Sequence, residues 1–236
     1  MIARHRRHRF YNPATAGATV AIDARFLTGL ADGDAVGTWT ARPGTSVSPT
    51  EATNKPTYKA SVVNGLPAVR FASASSTKLE ASVTITGNAT FFMVGVCVSG
   101  QAYARYVSTG RGGNDYDDPG AIIPFQASGN QLMYSWSNYS YNVASASYST
   151  PLVASCVTDS QYGSLRVNGG TAASLFVQSL NIDRLSIGRD PSGSGAGGSI
   201  ADGDMCAVVV VPSTVSDALR RRIEQSLAFS FRIACA

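Results

Sequence analysis

The sequence predicts an all-β sandwich, and three observations carry that expectation. Ala, Ser, Thr, Gly and Val dominate the composition and charged residues make up only 14%, a balance that suits strands and turns better than helices. Tight-turn signals recur between short apolar segments, at Asn64-Gly65, Ser128-Gly129-Asn130 and Asn168-Gly169-Gly170; these residues favour the backbone of hairpin turns. Two continuous apolar runs, Ala89 to Val98 and Met205 to Val211, have strand length and the character of strands buried on both faces. At 236 residues the chain is long enough for one such sandwich with a sizeable core.

Residues 1–17 form a basic leading arm. Arg4, Arg6, Arg7 and Arg9 account for the whole net charge of +4 and leave residues 18–236, the expected sandwich domain, neutral. Ala18 to Phe26 reads as a strand, Leu27 to Val36 as a loop turning at Asp32-Gly33, and Thr38 to Thr40 as a short strand around Trp39. A Pro/Ser/Thr-rich loop leads to strands at Thr57 to Val63 and Ala68 to Phe71, either side of Asn64-Gly65. Pro67 fixes φ and lacks a donor, which suits a strand entrance. Val69 and Phe71 alternate with Ala68 and Arg70, the period of a half-buried strand. Lys78 to Ala81, Arg105 to Ser108, Ala121 to Ala127, Gln131 to Ser137, Pro151 to Val157, Gly163 to Val167, the stretch from Thr171, and Arg184 to Gly188 supply further strands beside the two apolar runs. One helix follows, with Val215, Leu219, Ile223 and Leu227 on a single stripe. Ser216 caps it and Asp217 suits its positive end. Arg220, Arg221 and Arg222 are expected mostly to face solvent, and Phe229, Phe231 and Ile233 to return toward the sheet.

Several chemistries are excluded at this level. Both histidines, His5 and His8, lie in the arm, so the body holds no Ser-His-Asp triad, His-containing zinc site or Cys-His nucleophile. Cys97, Cys156, Cys206 and Cys235 are widely spaced with no CxxC pair, and read as buried thiols acting as small hydrophobes. The segment Phe10 to Thr15 is not a signal-peptide apolar region, and no stretch reaches the roughly 18 apolar residues of a membrane span. The expectation is a protein made in the host cytoplasm without a cleaved signal.

The order of short motifs resembles the concanavalin A-like lectin/glucanase superfamily in its laminin G-like form. The matching features are Val36-Gly37-Thr38-Trp39, Lys55-Pro56-Thr57-Tyr58, Asn64-Gly65-Leu66-Pro67-Ala68-Val69-Arg70-Phe71 and Leu79. Later come Leu165-Arg166-Val167-Asn168-Gly169, Ile187-Gly188-Arg189, Ala201-Asp202-Gly203-Asp204 and Ser216-Asp217-Ala218-Leu219-Arg220. The resemblance spans about residues 20 to 234. It implies a two-sheet antiparallel jelly roll with the helix at its edge, and it covers sugar binders, glycan hydrolases, and structural modules including those of tailed-phage virions.

Glycan hydrolysis needs two facing carboxyl groups. The superfamily's Glu-x-Asp-x-Glu strand motif does not occur among the three glutamates Glu51, Glu80 and Glu224, so the chain is expected not to be an enzyme. Sugar binding needs aromatic faces with amides around them; Tyr134, Trp136, Asn138, Tyr139, Tyr141 and Asn142 supply both within a short stretch, although Tyr134 and Trp136 also fit a core strand. Asp115, Asp117 and Asp118 offer oxygen ligands for Ca²⁺, or an ordinary solvated loop. The main expectation is a virion component, in head decoration, fibre or tail attachment, multi-copy on a shell. It would dock on other virion proteins through Arg4, Arg6, Arg7, Arg9, Phe10 and Tyr11, with avidity from many copies. The alternative is a carbohydrate-binding, lectin-like module. Four arginines would bind nucleic acid only weakly and with strong salt dependence.

Overall fold

In the computed structural model the described residues are 12–97, 104–111, 122–126, 131–137, 140–147, 149–159, 162–171, 173–176, 180–191 and 200–236. Their strands are β1 (Val20–Asp23), β2 (Thr57–Val63), β3 (Leu66–Phe71), β4 (Leu79–Gly87), β5 (Ala89–Cys97), β6 (Ala104–Gly110) and β7 (Ile122–Gln126). The remaining strands are β8 (Gln131–Ser137), β9 (Ser140–Ser145), β10 (Pro151–Thr158), β11 (Tyr162–Val167), β12 (Ala173–Phe176), β13 (Leu180–Ile187) and β14 (Gly203–Val211), and helix α1 is Asp217–Phe231. The larger sheet has eight strands in the order β12-β11-β10-β5-β14-β3-β2, with β1 also on β14; the smaller has six, β4-β13-β6-β7-β8-β9. This is the all-β sandwich with one C-terminal helix that the sequence predicts.

The two apolar runs become β5 and β14, side by side in the middle of the larger sheet, and each buries all nine residues. Alternation divides β5 between two cores. Phe91, Met93 and Cys97 point into the sandwich against Leu79, Val83, Ile85, Leu185 and Ile187 of the smaller sheet. Phe92, Val94 and Val96 point outward, where Ile223, Leu227 and Phe231 of α1 cover them. In β14 the register shifts between Met205 and Ala207. That bulge places Met205, Val208 and Val210 together in the sandwich core, and Ala207, Val209 and Val211 under the helix. The Asn64-Gly65 turn adopts positive φ at both residues, 52° and 78°, and returns the chain into β3 beside β2. Arg70, the one charged residue of that strand, forms a two-pronged ion pair at 2.8 Å with Asp204 directly across on β14.

The local differences from the sequence reading have physical causes. The first strand stops at Asp23, whose carboxylate accepts from the backbone N–H of Arg25 at 3.0 Å and starts a 3-10 turn, Ala24–Phe26. Thr38 makes only an isolated bridge to Thr50, while Trp39 is fully buried. Residues 13–16, read as part of the arm, form a 3-10 turn capped by Asn12, with Pro13 buried. Tyr141, read as loop-borne, lies in β9. Phe229 and Phe231 extend the helix instead of leaving it; Phe231 is buried and Phe229 is 55% exposed.

Arg220 does not face solvent. It lies on the buried stripe Arg220, Ile223, Glu224, Leu227, Ala228, Phe231, where helical spacing carries it inward with its neighbours. Its Nε donates to Ser155 Oγ at 2.7 Å and to Glu224 at 3.2 Å; its two Nη groups reach Ser164 Oγ at 2.6 Å and the Ser155 carbonyl at 2.7 Å. Ser155 Oγ donates in turn to Glu224. Burial pulls the Arg220 pKa down, while Glu224 opposes that shift. At the start of the helix Asp217 meets Arg166 at 2.5 Å and Arg221 at 2.9 Å, hydrogen bonds that hold its carboxyl below the usual range. A polar clamp thus sets α1 on β10 and β11 within an otherwise apolar contact.

All four thiols are free; Cys97, Cys156 and Cys206 are buried, and Cys235 is partly exposed. Burial pushes Cys97 up to about 12, and Cys206 is raised as well, so neither supplies thiolate near neutral pH. A thiol reagent applied to the native protein is expected to label Cys235 alone, and all four cysteines in denaturant. Rapid native labelling of a second cysteine, mapped by peptide mass, would contradict this packing.

Candidate functional site

The two sheets differ in what covers their outer faces. On the larger sheet α1 seals the outward side chains of β5 and β14. On the smaller sheet the outward positions of β4 and β13 are polar. In β4, Leu79, Val83 and Ile85 are buried, whereas Ser82, Thr84 and Thr86 are exposed and Glu80 is half-buried, so strict alternation gives this strand one apolar and one hydrophilic side. In β13, Leu180, Ile182, Leu185 and Ile187 are buried in the core, while Asn181 and Asp183 are exposed.

Strand register carries one row across all six strands. Glu80 pairs with Ser186, Ser186 with Ser108, Ser108 with Ile122, Ile122 with Ser135, and Ser135 with Tyr141. Five strand spacings make the row about 24 Å long. The neighbouring row pairs Ser82 with Arg184 and Arg184 with Gly110. Near the centre Ser108 and Ser186 are fully buried, and Ile200 bridges Arg105 of β6, so chain from the β13–β14 connection covers that part. Toward the β4 edge the face opens into a polar groove of about 540 Å³, lined by Ser46, Ser48, Thr50, Glu80, Ser82 and Arg184 among others.

The groove wall is fixed from behind. Thr50 and Glu80 exchange backbone hydrogen bonds at 2.8 and 3.0 Å, Ser48 Oγ accepts from the Ala41 N–H at 2.8 Å, and the Trp39 N–H donates to the Pro49 carbonyl at 2.9 Å. Lys78 sits between two carboxylates, 3.2 Å from Glu80 and 3.8 Å from Glu51. Burial raises Glu51, but hydrogen bonds from Thr53 and Asn54 and the charge of Lys78 outweigh it and hold the carboxyl below its ordinary value. The Oε1 of Glu80 is buried without a hydrogen-bond partner. Arg184 donates Nη1 to the Pro191 carbonyl at 3.4 Å. A second cleft, about 340 Å³ and mostly apolar, runs beside α1 between Pro13, Phe26, Ile223 and Leu227. There Arg25 is paired with Asp23 and stacked 4.5 Å from Phe231, and Arg42 lies 4.6 Å from the Phe26 ring.

Of the sugar-site residues read from sequence, Tyr134 and Trp136 lie in β8 and Tyr141 in β9 of the smaller sheet; Tyr134 pairs with Asn142, and the register shifts across Trp136. Asn138 and Tyr139 lie outside the described residues, as do Asp115, Asp117 and Asp118 and the whole set Arg4, Arg6, Arg7, Arg9, Phe10 and Tyr11. Among the described residues no group of His, Cys, Asp and Glu is placed to hold a metal ion, and no helix is long and apolar enough to cross a membrane. The sequence reading missed Ser82, Arg184 and the outward role of Glu80. The polar alternation Glu80-Ser82-Thr84-Thr86 was the available signal; nothing local announced Arg184.

No protein-family model and no curated protein sequence matches the chain. Solved structures do. A mutant GH54 α-L-arabinofuranosidase soaked with 4-nitrophenyl α-L-arabinofuranoside superposes with TM-score 0.61 at 12% identity, over 82% of this chain and 50% of that one. Trypanosoma rangeli sialidase in complex with 2,3-difluoro-KDN gives 0.57 at 13% identity, over 91% and 33%. CBM40 of the Ruminococcus gnavus IT-sialidase, bound to α2,3-sialyllactose, gives 0.47 at 16% identity, over 57% and 80%. The chain therefore spans half the length of the arabinofuranosidase and a third of the sialidase. These matches correct two expectations. The main reading, a virion component docking through its arm, gives way because the chain superposes on an arabinofuranosidase and a sialidase. The expectation that the chain is not an enzyme falls on the same finding. At this low identity the likeness is one of fold: the chain shares a β-sandwich with the arabinofuranosidase and the sialidase.

Proposed function

We propose that the chain is a laminin G-like carbohydrate-binding domain that takes a glycan in the groove at the β4 edge of the six-stranded sheet's outer face. The observation that carries this reading is the contrast between the two sheets: one outer face is sealed by α1, and the other presents hydroxyls, carboxylates and a guanidinium around an open groove. The row through Glu80 and Ser186 leads to β8 and β9, the strands that hold Tyr134, Trp136 and Tyr141. Sugar recognition combines these groups: ring faces stack on aromatics, and hydroxyls exchange hydrogen bonds with charged and amide groups. Kinship in fold with an arabinofuranosidase and a sialidase supports the same reading.

The test is an immobilised panel of neutral and acidic glycans. The wild-type protein is expected to bind a subset, and Ser82→Trp, which fills the groove, to lose about tenfold or more in affinity. Arg221→Glu, on the exposed side of α1, is expected to stay within twofold. Binding that survives Ser82→Trp but fails with Arg221→Glu would move the site to the other sheet, and no binding anywhere would end the proposal. Sugar released during the same incubation would reveal turnover as well as binding.

A further inference from the structure

We infer that the groove at the β4 edge selects an acidic sugar, a unit that carries a carboxylate together with free hydroxyls; this rests on the glycan-binding reading above. Three features point to that class. The first is an available cation. Arg184 projects from the middle row of β13, paired in register with Ser82. Among the described residues it has no ion pair, and its hydrogen bond to Pro191 at 3.4 Å engages one of five guanidinium N–H groups. Five other arginines among the described residues are matched: Arg25 with Asp23, Arg70 with Asp204, Arg166 and Arg221 with Asp217, and Arg220 with Glu224. A guanidinium left unmatched in a groove is a docking point for a planar carboxylate, which it meets with two parallel hydrogen bonds.

The second feature is the other end of the groove. Glu80 lies one row away and on the adjacent strand, opposite Ser186. Lys78, 3.2 Å away and shared with Glu51, weakens its repulsion of an anion held at Arg184. The Glu80 Oε1 is buried without a hydrogen-bond partner, an acceptor whose desolvation no protein donor offsets. A sugar hydroxyl supplies the missing donor. The third feature is the wall between them. Ser46 and Ser82 are exposed, and Ser48 keeps its hydroxyl proton after accepting from Ala41. Cation at one end, acceptor at the other and hydroxyls between match one ring bearing a carboxylate on one side and hydroxyls on the other. The volume of about 540 Å³ lies within the range of roughly 300–1,000 Å³ typical of small-ligand sites. Because the wall is pinned to β4 by backbone hydrogen bonds, little ordering accompanies binding.

The experiment compares a uronic-acid oligosaccharide with its carboxyl-reduced, neutral counterpart, by calorimetry on the full chain. The acidic form is expected to bind about 10- to 100-fold more tightly, the range of a charge-assisted pair, with the advantage shrinking in salt. Arg184→Gln should erase that advantage, so that the acidic and neutral forms bind alike. Arg184→Lys, which keeps the charge but not the fork, should restore only part of it. Unchanged melting of each variant separates binding from folding. Equal affinity for acidic and neutral forms, or a preference that Arg184→Gln leaves intact, overturns the acidic-sugar inference while glycan binding stands. Absence of binding to either form and to the whole panel overturns both.

Discussion

Replacing Glu224 with alanine is expected to destabilise the protein by about 3–5 kcal/mol, the cost of stranding a buried charge. Arg220 is 3% exposed and Glu224 2%, and Glu224 is the carboxylate that meets the guanidinium. Without it the cation keeps Ser155 and Ser164, neutral groups that do not compensate its desolvation. Urea unfolding should show a lower midpoint at unchanged slope. The companion variant, Arg220→Met with Glu224→Leu, removes both charges and keeps the volume apolar. It is expected to recover most of the loss or exceed wild type, because a buried pair contributes little relative to well-packed hydrophobes. A cost below about 1 kcal/mol for Glu224→Ala would mean that water reaches Arg220 and the helix is not seated as described.

Gly188→Ala is expected to cost about 2–4 kcal/mol, from two sources that a second glycine separates. Gly188 has φ +86°, and a Cβ there would lie 2.1 Å from Cδ1 of Phe71, a ring that is 1% exposed and has no free space to move into. Gly87 also has positive φ, +95°, but meets nothing within 4 Å. Gly87→Ala therefore reports backbone strain alone, about 1–2 kcal/mol, and the difference between the two variants is the steric part. Phe71→Leu in the Gly188→Ala background should return some of that part by making room. Equal losses at the two glycines, read from thermal or urea unfolding, would show that Phe71 does not rest on Gly188.

These two positions also mark how far the sequence could be read. The turn Asn64-Gly65 and strand up to Phe71 were visible from local signals, as were the hairpin at Asn168-Gly169 and the double-sided burial of β5 and β14. Such features depend on residues close along the chain. The burial of Arg220 was hidden because three adjacent arginines read as a solvated run; only the spacing Arg220, Glu224, Leu227, Phe231 reveals the inward stripe. The strand β9 was hidden because Tyr141 and Asn142 read as part of a sugar-binding cluster. The candidate site was legible in halves. The polar alternation of β4 was present in sequence, but the row from Glu80 to Tyr141 exists only through the register of six strands. The groove likewise needs residues 46–50 laid against β4, a pairing between segments some thirty residues apart.

The pairing of Val20 with Val210 has a consequence for how the chain reaches its fold. β14 follows every other described strand in the sequence, yet it lies between β5 on one side and β1 and β3 on the other. Until it arrives, those three strands have no shared neighbour, and their apolar edges stay open to wrong partners. Closing so long a loop before its contacts form is slow. Closure of the larger sheet thus waits for β14, and a truncation before Gly203 removes the strand on which that sheet closes.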